Sequence, residues 1–119
     1  IVRRDADSYS AQLGCAKWPF KQWTWHELGI YIGGPCMLQK NQTHIYVAGR
    51  IWENQKFNTR LMALDLKTME LTTLAVLPSF GDISYPGLAK LNNTLFMSYY
   101  SSHEDDKSQI YLASFDIKS

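Results

Sequence analysis

Two segments of this chain resemble each other at a spacing of about 50 residues, and this internal repeat limits the folds available to the chain. Residues 35–50 align with residues 86–100, and each unit predicts a strand, a tight Asn-containing turn and a second strand. The following strand, 60–65, has a counterpart at 110–116 and a fainter one at 11–16. The sequence therefore predicts a fold built from similar antiparallel units.

Short apolar and aromatic runs, separated by Gly, Pro, Asn and Asp, recur about every ten residues, whereas helical spacing fits almost nowhere. The predicted strands cover residues 1–4, 9–15, 24–31, 35–40, 44–50, 59–66, 70–76, 86–91, 94–100 and 109–116. A four-stranded unit of about 50 residues has the size of a propeller blade. We predict an all-β fold: a β-propeller fragment of about two and a half four-stranded blades. An ordinary β-sandwich is the alternative fold, but it offers no explanation for the 50-residue repeat.

The repeat divides the chain into the end of one blade (1–32), one full blade (33–80) and the start of a third (81–119). Propellers close with four to eight blades, so we expect either a fragment of a larger ring or an association of several copies. The chain opens on the apolar Ile1, without an initiator Met or a signal peptide, which favours the fragment.

Composition excludes several function classes. Twelve Lys and Arg residues stand against eleven Asp and Glu, so a net charge of +1 gives no support to nucleic-acid binding. No aliphatic stretch approaches the roughly 18 residues of a membrane span. Cys15 and Cys36 have no CxxC partner, so we predict no metal site. Either one disulfide or two buried free thiols fits this pair.

In a propeller, the loops that enter the first strand of a blade and leave its second strand open at the same end, beside the central channel. The residues predicted there are Arg3, Arg4, 33–34, 50–53, 81–85 and 99–104. The turns at the opposite end, 40–43 and 91–94, are made of turn-forming residues. The sequence therefore predicts that the chemistry lies at one end.

The stretches 82–88 (Asp-Ile-Ser-Tyr-Pro-Gly-Leu) and 98–103 (Ser-Tyr-Tyr-Ser-Ser-His) carry a family resemblance. With 77–79 and 110–113, they make nearly the whole chain similar to the C-terminal part of bacterial sialidase-like proteins, six-bladed propellers of the exo-alpha-sialidase type. The resemblance implies a glycoside hydrolase acting on terminal sugars of glycans, without a cofactor, in a secreted or periplasmic protein.

The chain also departs from that family. Where sialidases carry an Asp box, residues 16–23 retain only the closing Trp23. Trp18 and Trp25 lie near the same outer hairpin, and we expect all three indoles to serve blade packing. The family implies an arginine trio for the substrate carboxylate, a Tyr nucleophile assisted by a Glu, and an Asp acid/base. That Asp belongs to an early blade, so the catalytic set is incomplete here.

Four residues are candidates for substrate binding. Arg50 and Arg4 end matching strands, and a guanidinium can hold a carboxylate through two parallel hydrogen bonds. Ion pairs with nearby carboxylates are the alternative for both. Trp52 is a candidate for stacking on a sugar ring, and His103 for hydrogen bonding to substrate or a place in a solvated loop.

The catalytic candidates are Asp82, Tyr85, Tyr100 and Glu104. Asp82 fits an acid/base or sugar-binding role, and equally a cap on its own turn. Tyr85 and Tyr100 are candidate nucleophiles, with an aromatic platform or core packing as alternatives. Glu104 or Glu53 is the candidate base that would activate either phenol.

Three functions are therefore open. The first is a sialidase-like exo-glycosidase. The second is a non-catalytic glycan-binding or scaffold propeller that has kept the pocket. The third is a stand-alone β-module that associates with itself into a ring.

Overall fold

The computed structural model describes residues 2–4, 8–79, 84–104 and 107–117, with the backbone alone at residue 84. No helix occurs within these ranges. In chain order the strands are β1 (Val2–Arg4), β2 (Ala11–Cys15), β3 (Thr24–Glu27), β4 (Ile32–Gln39), β5 (His44–Glu53), β6 (Lys56–Asp65), β7 (Leu71–Leu77), β8 (Ser84–Leu91), β9 (Thr94–Ser101) and β10 (Gln109–Asp116). The prediction of an all-β chain is confirmed.

These strands form three antiparallel sheets in which the strands follow one another in chain order. The first sheet is β1-β2-β3, the second β4-β5-β6-β7, and the third β8-β9-β10. At one edge of the second sheet, β4 packs against both β1 and β8. The division at residues 32 and 80 and the closure into a propeller remain predictions.

The central strands of the second sheet, β5 and β6, are buried on both faces. Successive side chains of β5 point to opposite faces, as the pleat of a strand requires. Ile45 and Val47 belong to a core shared with β2 of the first sheet, while Tyr46 and Ala48 belong to a core shared with β9 of the third. A continuous apolar run is what a strand covered on both sides needs. The molecule is therefore a stack of three sheets, with the second in the middle.

The sequence repeat recurs as one structural irregularity. The pairing register shifts between residues 33 and 36 of β4, and again between residues 84 and 87 of β8. Pro35 and Pro86 lie inside these two irregularities. Proline has no N–H to donate to a neighbouring strand, so it is accommodated where the regular ladder is interrupted. The two units thus share a backbone feature as well as a sequence pattern.

The hairpin between β5 and β6 differs from the prediction, which placed a loop between residues 50 and 59. Both strands continue and meet through Asn54 and Gln55, which have φ values of 53° and 63°. Two successive positive φ values characterise a type I′ turn. Asn-Gln lacks the Gly that makes such turns recognisable in a sequence. The extension places Trp52 opposite Phe57 in the register.

Both cysteines are free thiols. Cys15 is exposed at the end of β2 in the first sheet, and Cys36 is half-buried in β4 of the second. The disulfide alternative is not realised. Full burial of the pair was wrong as well, because Cys15 lies where its strand leaves the sheet.

Candidate functional site

The hydroxyl of Tyr31 joins two arginines that come from different sheets. Arg50 Nη2 donates a hydrogen bond of 2.9 Å to it, and Arg4 Nη1 donates one of 3.2 Å. Arg4 is the last residue of β1, Tyr31 immediately precedes β4, and Arg50 lies on β5. The packing of β4 against β1 thus brings together two arginines that the sequence predicted at a common rim.

A glycine makes room for this arrangement. Gly33 pairs with Arg50 in the register between β4 and β5. A Cβ atom at position 33 would lie 2.6 Å from the Tyr31 hydroxyl oxygen and 3.0 Å from Arg50 Nε. Real Cβ contacts are not that short, so any larger residue would displace the two side chains. The hydrogen bond between Tyr31 and Arg50 therefore depends on the absence of a side chain at position 33.

Aromatic rings form a wall beside the arginines. The guanidinium carbon of Arg50 lies 4.6 Å from the centre of the Phe57 ring, within the range of a cation–π contact. Trp52 packs against Phe57 at 4.6 Å between ring centres, and Tyr31 approaches the same ring at 5.9 Å. Trp52 and Phe57 are 50% and 40% exposed, so their rings are accessible from solvent. We call Arg4, Arg50, Tyr31, Trp52 and Phe57 the arginine–tyrosine cluster.

Burial, hydrogen bonds and charge together set the pKa of the central phenol, Tyr31. Burial raises the pKa of Tyr31, but the hydrogen bonds from Arg50 and Arg4 and their positive charges lower it more. The pKa of Tyr31 therefore lies below the ordinary value of 10.0. The two arginines donate to the hydroxyl oxygen, which leaves its proton to be donated elsewhere. Chemically, the cluster offers two guanidiniums and a phenol to an anionic group.

The sequence alone did not single out Tyr31 or Phe57. A signal for Tyr31 was present in the repeat: when the two units are aligned on Pro35 and Pro86, Tyr31 matches the candidate Asp82. Asp82 itself lies outside the described residues. Phe57 carried no such signal, because its position depends on the type I′ turn.

Tyr85 and Tyr100 form a second group. Their rings stack with 6.5 Å between centres and 22° between planes. Tyr85 is 75% exposed and has a φ of 52°, a backbone conformation that bulky residues rarely adopt. Its repeat counterpart, Gly34, has a φ of 56°. The same left-handed backbone position is thus occupied by a residue without a side chain in one unit and by a tyrosine in the other.

His103 is held close to its own strand. Its Nδ1 lies 2.9 Å from Ser101 Oγ, and its ring centre lies 4.5 Å from that of Tyr111. Its Nε2 lies 4.0 Å from Glu104 Oε1, and the Glu104 side chain is 63% exposed. Burial, followed by the charge of Glu104, raises the pKa of Tyr99.

Glu53, the other candidate base, forms an ion pair with Arg60. Arg60 also donates a hydrogen bond of 3.0 Å from Nε to Asn58 Oδ1. These contacts hold the Glu53 carboxylate within the β5–β6 hairpin, where it is paired with Arg60.

Comparisons of the chain with protein-family models, curated proteins and solved structures gave no significant match. The resemblance to sialidase-like proteins therefore remains a prediction.

Among the described residues, no group of three or more His, Cys, Asp or Glu side chains is placed to hold a metal ion. Over the same residues, no helix has the length and apolar character needed to cross a bilayer.

Proposed function

We propose that this chain is part of a sialidase-like β-propeller whose rim binds the carboxylate of an acidic sugar at the arginine–tyrosine cluster. One observation carries the proposal: Arg4 and Arg50, from two different sheets, converge on the hydroxyl of Tyr31. Two guanidiniums at one point attract a carboxylate and match its planar, bidentate geometry. The exposed rings of Trp52 and Phe57 offer apolar surface to the body of the sugar.

The stacking of the sheets supports the propeller part of the proposal. Each sheet is an antiparallel meander in chain order, and β4 packs against β1 and β8 of the flanking sheets. Neighbouring blades contact each other in this manner around a channel. The first and third sheets have three strands each, and the remaining blades come from further chain or from other copies. A secreted or periplasmic location belongs to the same proposal, because glycans are displayed there.

As an enzyme, the protein would hydrolyse a terminal glycosidic bond. A phenol of lowered pKa is a better nucleophile at neutral pH than an unperturbed one, which adds Tyr31 to the candidates Tyr85 and Tyr100. The attacking phenol gives its proton to a carboxylate base, for which Glu104 is the candidate, and its oxygen forms a bond to the anomeric carbon as the bond to the leaving alcohol breaks. That alcohol takes a proton from a carboxylic acid, for which Asp82 is the candidate in this chain. Water then attacks the anomeric carbon and gives a proton to the carboxylate that the acid left, while the phenol oxygen leaves and takes its own proton back from the base.

Non-catalytic glycan binding is the second candidate function, and one observation favours it. Within the described ranges, both hydrogen-bond partners of the Tyr31 hydroxyl are guanidiniums, and neither is a carboxylate that would act as a base. Glu53 is engaged by Arg60. This arrangement binds an anion without providing the proton transfer that turnover needs.

Turnover and binding, measured side by side, test the proposal. The substrate is 4-methylumbelliferyl N-acetylneuraminic acid, and the proteins are the wild type, Tyr31→Phe, and Tyr46→Phe as a control in the core. Wild-type turnover that Tyr31→Phe abolishes while binding stays within about threefold supports the enzyme. Binding without turnover supports the glycan-binding protein. Absence of both in the wild type refutes both functions.

A further inference from the structure

A row of exposed aromatic rings occupies the loop between β2 and β3. Trp18 is 83% exposed, Phe20 52% and Trp23 39%. We expected Trp18 to serve blade packing, and the structure instead leaves it almost fully in solvent. Large apolar side chains grouped on a surface mark binding sites more often than isolated ones do.

This loop lies at the end of the first sheet away from the arginine–tyrosine cluster. Ala11, at the start of β2, pairs with Arg4, whereas Cys15, at the other end of β2, leads into the loop. A ligand held here is therefore held separately from one held by Arg4 and Arg50.

The loop is fixed by hydrogen bonds and by ring packing. Phe20 N donates to Lys17 O at 2.7 Å, and Trp23 Nε1 donates to Phe20 O at 3.1 Å. Trp18 and Phe20 meet edge to face with 5.7 Å between ring centres. Phe20 has a φ of 64°, which costs free energy for a bulky residue and persists only where its surroundings impose it. The exposed rings are thus set in place before any ligand arrives.

The base of the row is anchored in the first sheet. Trp23 stacks on Trp25 with 5.8 Å between ring centres, and the guanidinium carbon of Arg3 lies 3.6 Å from the centre of the Trp25 ring. A Cβ atom at Gly14 would lie 2.5 Å from Trp25. Trp25 can therefore lie flat on the sheet only because position 14 has no side chain.

A cleft of about 690 Å³ opens beside Trp18, the only one of these aromatic residues that lines it. Trp18 and Pro19 give it an apolar side, while Lys17, Lys21 and Gln22 supply hydrogen-bonding groups. Concave sites that combine an aromatic surface with a few polar groups are typical of small-molecule sites. A concave lining also suits a discrete ligand better than the flat surface of a bilayer.

We infer that this cleft is a second glycan site, which binds a neutral sugar residue through stacking on Trp18. A pyranose ring has an apolar face of C–H groups that matches an indole, and hydroxyls around its edge that match Lys and Gln side chains. The site does not depend on the proposed function, since it uses none of the residues of the arginine–tyrosine cluster.

Titration of the 119-residue chain with lactose, cellotriose and chitotriose tests this inference. The readouts are tryptophan fluorescence and saturation-transfer NMR. We expect at least one oligosaccharide to bind, and Trp18→Ala to weaken that binding by about tenfold, the equivalent of about 1.4 kcal/mol. Ile110→Ala is the matched control, because Ile110 is 84% exposed on the third sheet and should leave binding unchanged. Thermal melting verifies that both variants fold.

Three results would overturn the second site. The first is absence of binding by all three sugars up to about 10 mM, the weak end of specific recognition. The second is unchanged binding in Trp18→Ala. The third is Trp18-dependent binding to vesicles of phosphatidylcholine and phosphatidylglycerol without sugar binding, which would make the loop a membrane contact. N-acetylneuraminic acid binding that Arg50→Gln removes and Trp18→Ala leaves unchanged reports on the arginine–tyrosine cluster, so failure at one site is distinguishable from failure at the other.

Discussion

The guanidinium of Arg50 donates a 2.9 Å hydrogen bond to the hydroxyl of Tyr31, which lies 19 positions earlier in the chain. Arg4, 27 positions before Tyr31, donates to the same oxygen. Three separate pieces of chain thus meet at one atom, and they meet because β4 packs against β1 while pairing with β5. The positive charge concentrated there is the property on which the proposed function rests.

This geometry predicts an early ionisation of Tyr31. Burial opposes ionisation, but the hydrogen bonds and charges of Arg50 and Arg4 outweigh it, so the folded-state pKa lies below the unfolded value. Absorbance at 295 nm, followed during alkaline titration, should show an early phenol that is missing in Tyr31→Phe. Arg50→Gln should shift that phenol to higher pH. An identical early step in the wild type and in Tyr31→Phe would contradict the account.

The same shift makes a prediction for stability. A group whose pKa is lower in the folded state stabilises the fold increasingly as pH rises through its folded pKa toward its unfolded pKa near 10. The wild type should therefore gain stability relative to Tyr31→Phe as pH approaches 10. Burial raises the pKa of Tyr46, and burial followed by the charge of Glu104 raises that of Tyr99, so both phenols act in the opposite direction above that pH. Urea unfolding of the two proteins at several alkaline pH values measures the difference.

Gly33→Ala should damage the cluster without damaging the fold. The added Cβ atom meets the far ends of the Tyr31 and Arg50 side chains, which can move aside. We expect the free energy of unfolding to change by less than about 1 kcal/mol. The pKa of Tyr31 should rise toward 10, and affinity for N-acetylneuraminic acid should fall by about tenfold.

Gly29→Ala is the matched control for that variant. Gly29 has a φ of 77° with open space around it, so alanine there costs about 1 kcal/mol of backbone strain and touches no side chain of the cluster. Binding should be unchanged. If Gly29→Ala weakened binding as much as Gly33→Ala, loss of stability would explain both, and the steric role of position 33 would be wrong.

Two leucine substitutions test the stacked-sheet core. Leu64 is fully buried in the core between the first and second sheets, whereas Leu74 on β7 is 48% exposed. Leu64→Ala should cost about 2–5 kcal/mol, since it removes buried methyl groups and leaves a cavity. Leu74→Ala should cost less than about 1 kcal/mol. Denaturant unfolding compares them, and equal costs would contradict the core between the first and second sheets.

The sequence predicted the strands well because strand signals are local. Alternating apolar runs and turn residues indicated all the described strands, although β3 ends at Glu27 instead of residue 31 and β4 begins at Ile32 instead of residue 35. The register irregularities around Pro35 and Pro86 were not predicted. The β5–β6 hairpin was missed because Asn54 and Gln55 adopt positive φ values without the usual glycine.

The candidate site was only partly predictable. Arg4, Arg50 and Trp52 were expected at one rim because each lies at or near the end of a strand. The hydrogen bonds of Tyr31 depend on how two sheets pack, which no local pattern encodes. The exposure of Trp18 was missed for a related reason, since the loop conformation that displays it is set by non-local ring contacts.

Recognition of a carboxylate by Arg4 and Arg50 is the central claim, and isothermal titration of the chain with N-acetylneuraminic acid and with its methyl ester tests it most directly. The two ligands differ in the negative charge that the arginines are proposed to bind. We predict that the acid binds at least about tenfold more tightly than the ester, and that Arg50→Lys removes most of this preference. Equal affinity for acid and ester, or binding of neither, would contradict it.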